Sequence, residues 1–264
     1  MSYKKPLRSL AMIPARAGSL RVPDKNVRLL NEHPLLAYTI AAALNSRVFS
    51  TVVVSTDSEY YADIARYYGA DVPGLRPPSL ATSTSPDLGW VGHTLQTLKS
   101  IGRDYDCFSI LRPTSPFRLP STIQRAWHQF TNSVGIDSLR AVEKCSQHPG
   151  KMWVVRGNRM LPLLPLSPAN NAWHNNQFQV LPEVFVQNAS LEMAWARVVD
   201  QGSIAGHTIM PFLTKEHEGQ DINHEKDWWY VNHLIEQGRA HLPKIYLRPY
   251  HDIYPHVEQG VTSH

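Results

Sequence analysis

The chain has 264 residues, of which 42% are hydrophobic, and its 26 basic and 22 acidic side chains give a formal net charge of +4. This apolar content supports a sizeable core and excludes a disordered or fibrous protein. The charge is local, because residues 1–30 hold seven basic residues and one acid, whereas the rest of the chain is slightly acidic. We therefore predict a local anion site near the N-terminus and no nucleic-acid partner.

The remaining composition narrows the class of protein further. Two cysteines, Cys107 and Cys145, cannot form a disulfide framework or a four-ligand zinc site. No run of the sequence approaches the roughly 20 apolar residues that a membrane helix needs. The N-terminal residues also lack the long apolar core of a signal peptide. We expect a cytoplasmic protein that has no membrane partner.

Short apolar runs alternate with helical spacings over the first half of the chain. The predicted strands cover residues 9–13, 51–55 and 107–111. The predicted helices cover residues 34–45, 61–68, 86–98 and 119–130, with Ser85 as the cap of the third helix and Pro86 at its first position. Because each strand is apolar throughout, the pattern predicts an α/β fold whose parallel sheet is covered on both faces.

The pattern changes after about residue 135. Short strand-like pieces follow at residues 151–155, 160–166 and 184–186, and the Pro/Asn-rich stretch 165–176 indicates a loop or an inserted hairpin. A helix is predicted over residues 227–237. The tail, residues 241–264, has no clear period and is interpreted as an irregular arm.

The loop directly after the first predicted strand, residues 14–26, is the first candidate site. Its small residues could present backbone N–H groups to phosphates at the carboxyl end of a parallel strand. Arg16, Arg21 and Lys25 supply the positive charge that a triphosphate requires. The sequence contains neither a P-loop nor a dinucleotide-binding glycine motif. Taken alone, these residues fit a solvated surface loop equally well.

Ordered motifs along the chain give a more specific indication. Residues 13–19, followed by Lys25 and Asn26, resemble the signature of the cytidylyltransferases that activate sialic acids and related nine-carbon acids. Further similar segments follow in the same order at residues 54–57, 76–81, 111–118, 182–188 and 219–223. The resemblance spans about residues 9–235. It implies a Rossmann-like three-layer α/β/α sandwich with a mainly parallel sheet and a small dimerisation extension.

The resemblance also implies a reaction and roles for particular residues. The family transfers CMP from CTP to the anomeric hydroxyl of a 3-deoxy-2-keto sugar acid and releases pyrophosphate. Arg16, Lys25 and Asp221 are the implied catalytic residues, and Asp221 with Asn223 is the implied Mg²⁺ site. The implied nucleotide-binding residues are Ala15, Arg16, Ser19, Arg21, Lys25, Asn26, Arg76 and Ser83. The implied sugar-binding residues are Arg112, Thr114, Ser115, Gln187 and Asn188. The group that takes the proton of the sugar hydroxyl stays open.

Four positions depart from the family pattern. Leu20 stands where many members have Lys, and Ser83 stands where Asp is common. Arg112 replaces a frequent Gln, and it is equally compatible with a structural ion pair and with binding of the substrate carboxylate. Asn223 stands where a second metal carboxylate is usual, so metal binding is expected to be weaker. Asp227 is interpreted as the first-turn acid of the last helix.

Two isolated polar residues are interpreted as structural. Arg118 could bind substrate or cap a helix, and the structural role is favoured. His148 could approach the sugar, yet a single histidine is more often a structural residue than a ligand.

The implied organisation is a cytidylyltransferase domain over residues 1–240 and a C-terminal arm over residues 241–264. Within the domain, residues 140–185 are the predicted dimerisation and sugar-specificity extension of a homodimer. The substrate could be a legionaminic, pseudaminic or sialic acid. Two alternatives stay open: an eight-carbon octulosonate cytidylyltransferase, and a nucleotide-binding relative without catalysis, which Leu20 and Asn223 suggest.

Overall fold

The computed structural model describes residues 6–19, 21–164 and 172–255. The chain divides into two compact units, one made of residues up to Ala141 and from Asn188 onward, the other of residues Val142 to Gln187. The strands are β1 (Ser9–Pro14), β2 (Leu29–Leu30), β3 (His33–Pro34), β4 (Thr51–Ser55), β5 (Cys107–Ile110), β6 (Ser138–Lys144), β7 (Trp153–Arg156), β8 (Arg159–Pro162), β9 (Phe185–Trp195) and β10 (Ile209–Leu213). The α-helices are α1 (Leu35–Ser46), α2 (Glu59–Tyr67), α3 (Asp87–Ser100), α4 (Pro120–Asn132), α5 (Arg197–Asp200), α6 (Glu225–Glu236) and α7 (Tyr250–Ile253).

The first unit is built on a six-stranded sheet with the strand order β10-β6-β9-β5-β1-β4. Strand β1 pairs in parallel with both β4 and β5, with Ala11 opposite Val52 on one side and Ser109 on the other. Strand β9 pairs antiparallel with β5, so that Cys107 faces Trp195. The predicted α/β fold with a mainly parallel sheet is confirmed.

Apolar side chains of β1 alternate between the two faces of the sheet. Ala11 and Ile13 belong to a core cluster that includes residues of α1, α2 and α4. Leu10 and Met12 belong to a second cluster, which includes residues of α3 and α5. Helices therefore cover both faces, as a three-layer α/β/α sandwich requires.

The start of α3 differs from the prediction. The helix begins at Asp87, Pro86 is its N-cap residue, and none of the described side chains caps it. The Ser85 hydroxyl instead donates to the Ser79 carbonyl at 3.1 Å and lies 2.7 Å from the Thr82 hydroxyl. The predicted Ser85 cap is wrong because the helix starts one residue later than expected, and Ser85 stabilises the preceding turn.

Helix α6 anchors two segments that are distant in the sequence. Its buried residue Trp228 belongs to a third core cluster, together with Val22, Phe117 and Ile222. Val22 lies in the loop after β1, and Ile222 lies in the turn before α6. The apolar packing of these two residues therefore fixes the backbone of both segments.

The second unit contains the antiparallel hairpin of β7 and β8. The hairpin agrees with the strand-like pieces in the sequence, whereas residues 165–171 lie outside the described residues. His148 accepts a hydrogen bond from the Gly150 backbone N–H at 2.9 Å, and its other ring nitrogen lies 2.9 Å from the Pro182 carbonyl. These contacts support the structural interpretation of His148.

The described part of the C-terminal arm, residues 241–255, packs on α2. Tyr250 is buried in the main core cluster, and its backbone N–H donates to the Tyr68 hydroxyl at 3.1 Å. Burial raises the pKa of Tyr68 to about 12. Residues 256–264 lie outside the described residues. None of the helices formed by the described residues is long and apolar enough to cross a membrane.

Candidate active site

A cavity of about 510 Å³ opens at the carboxyl ends of three parallel strands. The chain passes from β1 to β4 on one side and then to β5 on the other side of β1. Such a reversal of strand order leaves a crevice between the loops, which is where ligands bind in open α/β sheets. Most of the predicted site residues line this cavity, namely Arg16, Ser19, Arg21, Lys25, Asn26, Arg76, Ser83, Arg112, Thr114, Asp221 and Asn223.

The other predicted site residues do not line the cavity. Ala15 is buried and donates its backbone N–H to the Ser55 carbonyl at 3.0 Å. Ser115 is buried, and its hydroxyl has no hydrogen-bond partner among the described residues. The Asn188 amide donates to the Thr214 hydroxyl at 2.9 Å. Gln187 is exposed and belongs to the second unit, and Leu20 lies outside the described residues.

The loop after β1 is shaped by polar contacts to its backbone. The Ala17 N–H donates to Asp57 Oδ1 at 2.8 Å, and the buried Asn26 amide donates to the Arg16 carbonyl at 3.2 Å. Gly18 has a φ of +68°, which side-chain-bearing residues rarely adopt. The backbone is thus folded back on itself, and Arg16 is held at the cavity wall.

Lys25 is a buried cation that forms no ion pair with a carboxylate of the described residues. Its ammonium group donates to the Ile222 carbonyl at 2.6 Å. Burial lowers the pKa of Lys25, the positive charges of Arg21 and Arg16 lower it further, and Asp221 opposes the shift. An anionic ligand in the cavity would relieve this electrostatic cost.

Arg76 is a second buried cation of the cavity wall. Its guanidinium donates to the Ser55 hydroxyl at 3.1 Å and to the Ser55 carbonyl at 2.8 Å. It also lies 4.9 Å from the centre of the Trp90 ring. Burial lowers the pKa of Arg76 to about 10, so the group keeps its charge at neutral pH.

The turn before α6 brings a carboxylate to the same wall. Asn223 donates from its side-chain amide to Asp221 Oδ2 at 2.5 Å, and its amide oxygen accepts from Arg21 at 3.2 Å. Asp221 Oδ1 is buried without a hydrogen-bond partner among the described residues. Asp227 accepts the backbone N–H groups of Asn223 and His224, both at 2.8 Å, in agreement with its predicted place in the first helical turn.

Arg112 stands between two carboxylates. It is 2.5 Å from Asp87 and 3.2 Å from Glu192, and Glu192 also pairs with Arg140. Burial acts to lower the pKa of Arg112, but the hydrogen bond and the charge of Asp87 outweigh it and raise the pKa. Of the two interpretations of Arg112, this geometry favours the structural ion pair.

Arg118 is buried and forms no ion pair with a carboxylate in the described part of the chain. Its buried guanidinium donates to the backbone carbonyls of Ser190 and Arg112 and to the Thr39 hydroxyl. Burial lowers the pKa of Arg118 to about 9. These contacts support the structural interpretation, because Arg118 joins the loop after β5 to strand β9.

The charges around the cavity are unbalanced. Its wall holds five cations and two carboxylates, and Arg112 is the one cation that forms an ion pair within the described part of the chain. The cations without such a pair are Arg16, Arg21, Lys25 and Arg76. A concave site that concentrates uncompensated positive charge favours a compact polyanion such as a triphosphate.

Sequence reasoning missed several residues of the wall, among them Asp87 and Trp90. Asp87 and Trp90 occupy positions i and i+3 on α3, and the Trp90 indole N–H donates to Asp87 at 2.7 Å. Helical spacing predicts that these two side chains meet. Nothing in the local sequence indicates that Asp87 also reaches Arg112, which is 25 residues away.

Comparison with known proteins places this site in a family. A family model described as cytidylyltransferase matches residues 10–85. The chain is 36% identical over 248 residues to CMP-N,N'-diacetyllegionaminic acid synthase of Legionella pneumophila, covering 89% of this chain and 100% of that protein. It is 50% identical over 109 residues to N-acylneuraminate cytidylyltransferase of Escherichia coli O18:K1:H7, covering 41% of this chain and 25% of that protein.

A solved structure shows the same architecture. It is CMP:2-keto-3-deoxy-manno-octonic acid synthetase complexed with CTP, with a TM-score of 0.66 over 88% of this chain and 99% of that one, at 15% identity. This similarity concerns the fold alone. Because the Legionella relative matches over its whole length, the chain belongs to the cytidylyltransferase family. The resemblance in the sequence is confirmed.

Proposed function

We propose that this protein transfers CMP from CTP to the anomeric hydroxyl of a nine-carbon 3-deoxy-2-keto sugar acid and releases pyrophosphate. The observation that carries the proposal is a set of four cations that form no ion pair among the described residues and line one cavity with Asp221. The names of the relatives, a legionaminic acid synthase and an N-acylneuraminate cytidylyltransferase, support this class of substrate.

In the proposed reaction the anomeric oxygen bonds to the α-phosphorus, and the bond from that phosphorus to the bridging oxygen of pyrophosphate breaks. The proton of the sugar hydroxyl is released to solvent, and negative charge accumulates on the departing pyrophosphate. Such a transfer is accelerated mainly by positioning and by charge neutralisation. Lys25 and Arg16 are assigned to the triphosphate, since both lie on the loop after β1 and line the cavity.

The burial of Lys25 gives its charge particular weight. Water screens this ammonium group poorly, so its interaction with a phosphate is stronger than that of an exposed lysine. Its donation to the Ile222 carbonyl holds the group in place before the substrate arrives. Preorganised charge of this kind stabilises the developing pyrophosphate without further rearrangement of the protein.

Other residues of the cavity wall are assigned to the nucleoside and the sugar. Arg76 is held by Ser55 and by the Trp90 ring, and we assign it to nucleotide binding together with Asn26 and Ser83. Thr114 lines the cavity near Arg112 and is the candidate for sugar contact that the cavity wall supports best. The sugar-binding roles of Ser115, Gln187 and Asn188 stay predictions from the family resemblance.

A divalent cation, Mg²⁺, is part of the proposal. Within the described residues no group of three His, Cys, Asp or Glu side chains could hold a metal ion. Asp221 fits a site with few protein ligands, because its Oδ1 is buried without a partner and Mg²⁺ keeps several waters and binds substrate phosphates. When bound, such an ion supplies neutralisation of phosphate charge.

The test is the release of pyrophosphate from CTP in the presence of Mg²⁺ and a panel of sugar acids. We expect turnover with at least one of the legionaminic, pseudaminic and sialic acids, and little with the eight-carbon octulosonate or with UTP. Asp221→Ala should abolish turnover, whereas Lys99→Met, an exposed change on α3, should not. Tight CTP binding without turnover on any acid would favour the non-catalytic alternative.

We also propose that residues 140–185 mediate dimerisation and contribute to sugar specificity, and that the enzyme works in the cytoplasm, where CTP is available. The support for a protein contact is the exposed apolar surface of the β7–β8 hairpin, where Val155 is 67% and Met160 57% exposed. Sedimentation should give the mass of a dimer for the wild type. A monomer across the micromolar range would contradict this part.

A further inference from the structure

The side-chain amide of Asn223 lies between a group that can only donate hydrogen bonds and a group that can only accept them. The Arg21 guanidinium is the donor, at 3.2 Å, and Asp221 Oδ2 is the acceptor, at 2.5 Å. The orientation of the amide is therefore set by chemistry, with its oxygen toward Arg21 and its nitrogen toward Asp221. The backbone of Asn223 is fixed as well, because its N–H donates to Asp227.

This arrangement leaves one side-chain oxygen of Asp221 and Asn223 without a hydrogen bond among the described residues. The Asn223 nitrogen is a donor and cannot bind a metal ion, and the Asn223 oxygen is engaged by Arg21. Of the two carboxylate oxygens of Asp221, Oδ2 is bound by Asn223 and Oδ1 has no partner among the described residues. An aspartate at position 223 would instead place a second carboxylate at this short distance from Asp221, with no amide proton to form a hydrogen bond between them.

We propose that Asn223 is a positioning residue and not a metal ligand. It holds Asp221 and Arg21 in their places before substrate binds, and the divalent cation is bound by Asp221 together with the phosphates of CTP. The ligand-free protein then binds a free divalent ion weakly, and the ion enters as its complex with the nucleotide. This inference rests on the proposed function, because it assumes that a triphosphate occupies the cavity.

The experiment measures binding of Mn²⁺, a spectroscopic substitute for Mg²⁺, to the ligand-free protein by electron paramagnetic resonance. The wild type should bind Mn²⁺ weakly, and CTP should strengthen the binding. Asn223→Asp should tighten Mn²⁺ binding without CTP by about tenfold or more, because a second carboxylate replaces an amide proton. Asn158→Asp, an exposed change in the second unit, adds the same charge and should leave the binding as in the wild type.

Asn223→Ala separates the two roles of the residue. If Asn223 positions its neighbours, its loss should weaken CTP binding in the absence of metal, through the release of Arg21, and should leave Mn²⁺ binding to the ligand-free protein unchanged. Tight Mn²⁺ binding by the ligand-free wild type, lost in Asn223→Ala, would overturn the inference and make Asn223 a ligand. Neither measurement requires turnover. Failure of the catalytic proposal would instead appear as normal CTP and Mn²⁺ binding without pyrophosphate release.

Discussion

Replacing Arg112 by Gln tests whether this residue serves the fold or the sugar acid. The guanidinium lies 2.5 Å from Asp87, and each side chain of the pair is 29% exposed. At an effective dielectric constant of about 20, two unit charges about 4 Å apart attract each other by about 4 kcal/mol. Desolvation of the pair offsets much of this attraction, which leaves a coupling free energy of about 1–2 kcal/mol.

A double-mutant cycle isolates this coupling. Urea unfolding of the wild type, Arg112→Gln, Asp87→Asn and the double variant gives four free energies of unfolding. Asp87→Asn keeps an acceptor for the Trp90 indole, so the cycle reports mainly on the ion pair. We expect each single change to cost about 1–3 kcal/mol and the double variant to lose less than the sum. A coupling free energy below about 0.3 kcal/mol would refute the structural role.

The coupling free energy of the Arg112–Asp87 ion pair should also depend on pH. Burial alone would raise the pKa of Asp87, but the hydrogen bond and charge of Arg112 hold that pKa below its usual value of 3.8. Because the folded-state pKa is the lower one, the stabilisation is fully present above about pH 4 and is lost as the pH falls through the folded-state value. The coupling free energy measured at pH 7 should therefore shrink as the pH falls below 3.8.

Steady-state kinetics of Arg112→Gln also distinguish the structural ion pair from binding of the substrate carboxylate. Without Arg112 the Asp87 carboxylate faces the cavity uncompensated, so the KM for CTP should rise more than the KM for the sugar acid. If Arg112 instead binds the substrate carboxylate, the KM for the acid should rise by about tenfold or more. The reason is that a hydrogen bond to a charged group contributes about 1.5–3 kcal/mol, and its loss lowers the affinity by at least that factor. An effect confined to the acid would contradict the ion-pair interpretation.

Three further variants test other parts of the site. Lys25→Met should lower kcat/KM by about 100-fold or more. Its free energy of unfolding should change by less than about 1 kcal/mol, because removal of a buried charge offsets the lost hydrogen bond to Ile222. A large loss of stability with little loss of activity would contradict the assignment of Lys25 to the triphosphate. Arg76→Lys should weaken CTP binding, measured by calorimetry, by about tenfold, because lysine cannot keep both the hydrogen bonds to Ser55 and the contact with the Trp90 ring. An unchanged affinity would contradict the assignment of Arg76 to nucleotide binding. Val155→Glu should shift the sedimentation mass toward a monomer, and an unchanged mass would exclude the hairpin from the interface.

Much of the fold was predictable because its signals are local. Strands β1, β4 and β5 are short apolar runs, and the helices between them show the spacing of covering helices. The direction of β9 was not predictable, because a strand-like run contains no information about its partner. The antiparallel pairing of β9 with β5 joins residues more than 80 positions apart.

The candidate site was also predictable only where its signals are local. The loop after β1 was identified by its charge and by its place at the end of a strand, and the structure brings Arg16, Arg21 and Lys25 to one cavity. The pairing of Arg112 with Asp87 and Glu192 depends on three distant segments that meet only in the folded chain. Sequence reasoning therefore identified the charges of the site but could not tell which of them compensate one another.

The role of Asn223 depends on the geometry of its neighbours. By position alone it was an implied metal ligand with a neutral oxygen. The contacts with Arg21 and Asp221 show that both ends of its amide are already engaged. A residue type at a family position therefore indicates a possible ligand, whereas its hydrogen-bond partners decide whether the ligand atom is free.

Phosphorus NMR of the protein with CTP, Mg²⁺ and each nine-carbon acid in turn tests cytidylyl transfer most directly. We expect that with at least one acid a CMP-sugar phosphodiester signal and a pyrophosphate signal grow together in equal amounts, and that both grow about 100-fold or more slowly with Lys25→Met. Pyrophosphate without the phosphodiester, or no reaction with any acid although CTP binds, would contradict cytidylyl transfer.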